Sequence, residues 1–260
     1  MCCIADSLSQ IVMTETPDPA RGISPCPICG EAAAPFRGVG GHSYVRCGGC
    51  RFVFLDPMPR AEELARIYER DAYISADRYP KAGSRQRRAL RGALRLMPYI
   101  WRRDVIDVGC GGGFTVEAFR RLGARAVGLD ISGQSIDFAR KRYPRNTYYC
   151  ESFVEFRRRG LDFDFVYSSE VVEHVTELSD YMAFLADVPR DGGHLYVTTP
   201  DVESPLVPAE ITEWDVFEPP RHVQFFGEEN LRRLFDAHGF EFKRRYPDRK
   251  AGLKVLFRKR

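Results

Sequence analysis

The run Val105-Ile-Asp-Val-Gly-Cys-Gly-Gly-Gly-Phe114 constrains the fold of this chain more than any other stretch. Val105, Ile106 and Val108 form a short β-branched segment that predicts a buried strand. It gives way to Gly109, Gly111, Gly112 and Gly113, then to a helix-like pattern over 115–122 that stops at Gly123. Strand, glycine turn and helix make the opening unit of a doubly wound α/β sheet, where bare backbone lets a nucleotide-like ligand lie against the turn. Residues 126–130, Ala-Val-Gly-Leu-Asp, predict a second strand with an acid at its carboxyl end. Asp130 follows the loop by roughly 20 residues, the distance at which an acid meets ribose hydroxyls.

A glycine loop alone is a weak signal, but here an acid, Asp107, sits inside the strand where it can hold an ammonium group. The order Asp-Val-Gly-Cys-Gly-Gly-Gly followed by Gly-Leu-Asp resembles the class I S-adenosylmethionine-dependent methyltransferases. The resemblance spans residues 101–260 and implies a Rossmann-like, seven-stranded α/β sheet. It also implies that the cofactor's methionine moiety lies over Asp107, Gly109, Cys110, Gly111 and Gly113, with its ribose on Asp130. Ile131, Glu151, Ser152 and Ser169 complete the implied cofactor contacts, with Glu151 or Ser152 near the adenine. For those two, a plain surface loop is the competing reading.

Composition sets the outer bounds. With 260 residues, 44% hydrophobic and 29% charged, the chain has the make-up of a globular protein with one full domain and a smaller one. A net charge of +3 creates no global field that demands nucleic acid or membrane. No apolar run is long enough to span a bilayer, and Met1-Cys-Cys-Ile opens no secretory signal. Residues 1–22 lack periodicity and read as a disordered leader, in which Met13 is an alternative start. Eight cysteines, four of them at metal-ligand spacing, point to a reducing, cytoplasmic setting.

Those four are Cys26-x-x-Cys29 and Cys47-x-x-Cys50, which predict a structural tetrathiolate zinc ribbon over 23–58. His42 lies between the knuckles and is not needed as a ligand. A strand over 52–59 and an amphipathic helix over 61–68 follow, opening a helical linker or lid over 59–100. The run from the first knuckle to Tyr73 resembles the amino-terminal module of zinc-ribbon methyltransferases of bacterial glycan and natural-product pathways. Tyr68 and Tyr73 reach the cofactor, roof the substrate pocket or pack between domains. Residues 84–103 read as a basic helix with Leu90, Leu94 and Met97 on its apolar face. Its arginines, like Arg157-Arg-Arg159, read first as a solvated face.

The chemistry-bearing residues follow the fourth strand, 164–169, as Glu170-Val-Val-Glu-His174. One helical turn would bring Glu170, Glu173 and His174 to one side, and His222 follows in the insertion after the fifth strand, 193–200. These oxygen and nitrogen donors suit Mg, Mn, Fe or Zn. The Glu-x-x-Glu-His segment resembles the metal site of the small-RNA 3′-terminal 2′-O-methyltransferases and a similar segment in the ubiquinone-pathway O-methyltransferases. The resemblance implies Glu170, Glu173, His174 and His222 as ligands of a second divalent ion. Without metal, His174 is the candidate general base, and a structural role is the third reading. His194 reads as a packed strand residue and His238 as a helix-end cap. Trp214 and Phe217 read as a substrate lid or as a loop packed on the sheet.

These features predict O-methylation of a hydroxylated small molecule or glycan with neighbouring hydroxyls. RNA methylation through the ribbon and C-methylation of an activated sugar are the enzymatic alternatives, and a non-catalytic adaptor the third class. Residues 199–219 do not match the RNA enzymes, and no RNA-binding module is visible.

Overall fold

The computed structural model describes residues 22–61, 63–64, 79 and 81–260. The leader up to residue 21, Tyr68 and Tyr73 lie outside the described residues. Two sheets carry the fold. The amino-terminal strands β1 (Ala33–Val39), β2 (His42–Cys47) and β3 (Val53–Leu55) form an antiparallel meander. A basic helix α1 (Ala82–Arg95) and a short α2 (Met97–Ile100) lead into the larger sheet.

That sheet is built from β4 (Asp104–Val108), β5 (Arg125–Asp130), β6 (Thr147–Cys150), β7 (Phe163–Ser169), β8 (Pro189–Pro200), β10 (Phe240–Arg245) and β11 (Gly252–Lys259). Its order is β10-β11-β8-β7-β4-β5-β6, parallel throughout except β11, which runs antiparallel to both neighbours. The expected seven-stranded α/β sheet with an antiparallel hairpin at one edge is therefore present. Helices α3 (Phe114–Arg121), α4 (Gly133–Arg142), α5 (Phe153–Arg157), α6 (Leu178–Asp187) and α7 (Glu228–Ala237) accompany the strands. Ser132 caps α4, its hydroxyl accepting from the Ser135 N–H. Both faces of the central strands are covered, so Val105, Ile106, Val108 and Val166 are fully buried.

The basic helix differs in one respect from its sequence reading. Its buried face runs through Ala93, Leu96 and Ile100, with Ala89 and Leu90 packed beside them, while Leu94 is 51% exposed. Leu94 sits about 100° around the helix from Ala93, which takes it off the stripe that meets β4.

The four-cysteine module is not set apart from the catalytic domain. The two-residue strand β9 (Gln224–Phe225), from the insertion after β8, pairs with β3 and completes a four-stranded sheet β1-β2-β3-β9. Trp214 and Phe217 are buried in this junction with Tyr44, Val53, Leu55 and Phe225, which decides for a packed loop and against a lid. Fully buried Asn230 ties the two units further: its Nδ2 donates to the Cys50 carbonyl and its Oδ1 accepts from the Gly227 N–H, each at 3.1 Å. Asn230→Ala would strand both groups in the interior. The expected loss is ~2–4 kcal/mol in urea unfolding; a loss below ~1 kcal/mol would mean that water reaches them.

Candidate active site

The site lies at the carboxyl ends of β4, β5 and β7, where open α/β sheets bind ligands. Gly109 has φ 71° and a Cβ there would come within 2.5 Å of the Val171 side chain, so only glycine fits between the loop and the segment after β7. The Gly109 and Cys110 N–H groups both donate to the Leu129 carbonyl, at 2.8 and 3.0 Å, which joins the loop to β5.

Asp130 holds the loop from the other side. Its carboxylate accepts from the Gly111 N–H at 2.7 Å and the Ser132 N–H at 2.8 Å. Asp107, buried beside it, has its pKa pushed well up by burial and by the Asp130 charge. A ligand cation here relieves both acids. Ile131 projects into solvent at 75% exposure, an apolar face next to Asp130.

Two predicted contacts have local partners instead. Ser152 caps α5, accepting from the Glu155 N–H and donating to its carboxylate. Glu151 is paired with Arg159. Sequence reading missed Tyr79, which stands over Gly111 and Gly112, packs on Phe114 and Phe138, and donates to the Ser135 hydroxyl at 3.1 Å. It belongs to no motif.

After β7 the backbone turns sharply. Glu170 has φ 56°, a left-handed conformation that costs a non-glycine residue ~1–3 kcal/mol and is found at functional sites. Its N–H donates to the Thr198 carbonyl, and its Oε1 accepts from the Thr198 hydroxyl at 2.8 Å. The Ser169 hydroxyl sits 2.7 Å from the same Thr198 oxygen, so Ser169 is part of this network. The turn continues as a 3-10 helix, Val172–His174.

Glu173, His174 and His222 each offer a ligand atom within 4.8 Å of the others. Glu173 is fully buried; its Oε2 accepts from Thr199, while its Oε1 has no donor among the described residues and the Glu170 carboxyl is the side chain's other close neighbour. Burial first, and the Glu170 charge second, push its pKa well above the usual carboxylate range. Glu170 itself falls outside the three-residue cluster, next to Glu173. The two histidine rings lie 4.6 Å apart. His174 Nδ1 meets the Arg221 carbonyl at 2.8 Å and His222 Nδ1 meets the Val216 carbonyl at 2.5 Å. A carbonyl only accepts, so both rings carry their neutral-state proton on Nδ1 and their lone pair on Nε2. Burial, followed by the neighbouring His222, lowers the His174 pKa to about 4, so its imidazole is uncharged at neutral pH.

The four cysteines form a second cluster. Cys26 and Cys50 sulfurs are 3.5 Å apart, Cys29 and Cys47 sulfurs 3.4 Å, and all four lie within 4.8 Å of one another. A tetrahedral zinc with Zn–S of ~2.3 Å separates its sulfurs by roughly 3.8 Å, so the set fits that ion. Burial pushes the Cys26 thiol up to about 11, a cost that a bound cation removes.

The other histidines have quieter places. His194 stacks near Tyr99, and His238 Nδ1 meets the Leu234 carbonyl at the end of α7, as a cap does. A cleft of about 540 Å³ opens at the amino-terminal ends of β4 and β5, away from this chemistry. Its Arg125 and Arg190 are both bonded to Asp104 and its Arg120 to Glu117.

Residues 81–243 match a family model described as a methyltransferase domain. The chain belongs to this methyltransferase family. Its fold is that of the class I S-adenosylmethionine-dependent methyltransferases, as the loop order implied. Among curated proteins, this methyltransferase is 34% identical over 99 residues to a ubiquinone biosynthesis O-methyltransferase of Chelativorans sp. and 38% identical over 99 residues to that of Bradyrhizobium sp.. Each match covers 36% of this chain and 39% of the relative. The human mitochondrial enzyme is 36% identical over 105 residues, covering 36% of this chain and 28% of its own.

Solved structures show the same fold. A Burkholderia thailandensis 1,6-didemethyltoxoflavin-N1-methyltransferase with bound S-adenosylhomocysteine has a TM-score of 0.55 at 18% identity, covering 87% of this methyltransferase and 99% of that chain. Magnesium protoporphyrin IX methyltransferase from Synechocystis with S-adenosylhomocysteine has a TM-score of 0.56 at 17% identity, over 77% and 98% of the two chains.

Proposed function

We propose that this methyltransferase O-methylates a small molecule or glycan with neighbouring hydroxyls, at a divalent-metal site formed by Glu173, His174 and His222. The observation that carries the reading is the orphaned, buried Glu173 Oε1 beside two imidazoles whose Nδ1 protons are committed to carbonyls. An acceptor-only oxygen in the interior calls for a cation or a proton, and two oriented Nε2 lone pairs favour the cation. The names of the three curated relatives described above, each an O-methyltransferase, support an oxygen acceptor.

In the reaction the sulfonium methyl passes to the acceptor oxygen: the C–S bond breaks as the O–C bond forms, the hydroxyl proton departs, and S-adenosylhomocysteine remains. Asp107 meets the cofactor's ammonium group, Asp130 its ribose and Ile131 the adenine face. A bound Mg, Mn or Fe ion would supply the positive charge that makes the acceptor hydroxyl more acidic. Thr199 and the two carbonyls hold the donor groups in their ligating orientation. Glu170 stands at the open side of the cluster, held by Thr198, where it can receive the departing proton. Metal-free base catalysis by His174 is the weaker account, because a pKa near 4 leaves little driving force at neutral pH. In this reading Cys26, Cys29, Cys47 and Cys50 hold a structural zinc. Among the described residues no helix is long and apolar enough to cross a membrane.

Metal content by mass spectrometry tests the proposal. After loading with Mn2+, wild type is expected to carry one ion per chain beyond zinc, and a Glu173→Gln/His174→Ala double variant only the zinc. Zinc alone in both proteins, with activity insensitive to chelators that leave the zinc in place, would overturn the metal reading.

A further inference from the structure

We infer that the four-cysteine module acts as a positioning device for the active site, with Tyr44 as the residue that sets His222. The metal-affinity part of this inference rests on the proposed divalent site; the positioning part does not. Tyr44 lies on β2, between the two cysteine pairs, and is 1% exposed. Its hydroxyl donates to the main-chain carbonyl of His222, 178 residues away. Its ring packs on Phe217 and Phe225 at centroid distances of 4.6 and 5.6 Å, on either side of that histidine in the chain.

The segment carrying His222 is held along both edges. On the module's side, the Leu55 N–H donates to the Val223 carbonyl at 2.8 Å, and Val53 and Phe54 pair with Phe225 and Gln224. On the catalytic side, the Val223 N–H donates to the Glu173 carbonyl at 2.8 Å. The buried Gln224 amide donates to the Val172 and Val175 carbonyls at 2.6 and 3.0 Å, and Arg221 accepts from His174. One stretch, 221–225, therefore carries one imidazole of the cluster and orients the other.

Among the described residues β9 pairs with no strand but β3, and the chain just after β8 meets its vicinity through the Asp201–Phe226 bridge and the Val202 N–H, which donates to the Phe226 carbonyl at 3.0 Å. The turn after β7 and the module thus grip the 221–225 strand from opposite edges, and Tyr44 supplies the module's bond to His222 itself. The His222 ring also takes its Nδ1 partner, the Val216 carbonyl, from the loop whose Trp214 and Phe217 are buried against the module. Removing the Tyr44 hydroxyl frees the His222 carbonyl without disturbing the aromatic packing, so residue 222 loses its own main-chain tie to the module, and the imidazole is left to its Val216 bond. Partners at this remove from a metal are worth ~10–100-fold in its affinity.

The test uses the full-length, zinc-containing Tyr44→Phe variant. In metal-free samples labelled with 15N-histidine, the imidazole resonances of His222 and His174 are expected to move, while those of His194 and His238 stay in place. In a Mn2+ titration the variant is expected to bind ~10-fold more weakly than wild type, with unchanged zinc content. Unmoved His222 and His174 resonances, or Mn2+ binding as tight as in wild type, would overturn the inference. If wild type takes up no Mn2+, the metal reading fails on its own and the imidazole resonances alone decide the positioning role.

Discussion

Glu173→Gln is expected to slow methyl transfer by about 10³-fold while leaving the protein as stable as wild type, or more so. The amide is nearly isosteric, and its oxygen can still accept from Thr199, so the packing around residue 173 has no reason to change. What disappears is a fully buried anionic ligand. Losing ~4 kcal/mol of charge stabilisation at the reacting oxygen gives that factor at about 1.4 kcal/mol per tenfold. Stability moves the other way because burying a carboxylate is costly, and the raised pKa is that cost expressed in protons. The sign follows from proton counting. In metal-free wild type the folded state keeps the Glu173 proton to higher pH than the unfolded chain does, so stability falls as pH rises above the ordinary carboxylate range. Urea unfolding with chelator present should show this decline in wild type and a flatter profile in the variant. A variant that keeps wild-type kcat would remove Glu173 from the chemistry.

Asp130→Ala should weaken S-adenosylhomocysteine binding ~100-fold, read by titration calorimetry. A hydrogen bond to a charged partner is worth ~1.5–3 kcal/mol. The loss here is compounded because the same carboxylate holds the Gly111 and Ser132 N–H groups on which the loop's shape depends. Asp130→Asn keeps one acceptor and should fall between the two. An affinity within threefold of wild type would place the ribose elsewhere.

The local features of the site were readable because sequence neighbours make them. Strand, glycines and helix over 105–121 are a single contiguous unit, and Asp130 follows at the next strand's end, so their places in the fold were legible from spacing. Ser152 carried an equally local signal, Ser-x-x-Glu before an apolar turn, and its cap competes directly with a ligand-binding role. The resemblance put His222 on one ion with Glu173, but spacing alone could not, because that proximity depends on a two-residue strand pairing 170 positions upstream with β3. Neither periodicity nor length marks such a strand. Trp214 and Phe217 looked the same as lid or as core for the same reason: their partner, Tyr44, lies in another part of the chain. Tyr79 reaches Gly111 from a segment with no motif, and nothing short of the folded arrangement singles it out.

The shared four-stranded sheet also has a consequence for the newly made chain. Val53, Phe54 and Leu55, all buried in the finished protein, emerge from the ribosome 169 residues before Gln224 arrives to cover their edge. At ~5–20 residues per second that edge is uncovered for roughly 10–30 s of synthesis. Three apolar residues with an open row of N–H and C=O groups are a template for pairing with another nascent chain. During that window the growing polypeptide is most exposed to aggregation, and a chaperone that masks short apolar strands would raise the yield of full-length protein most.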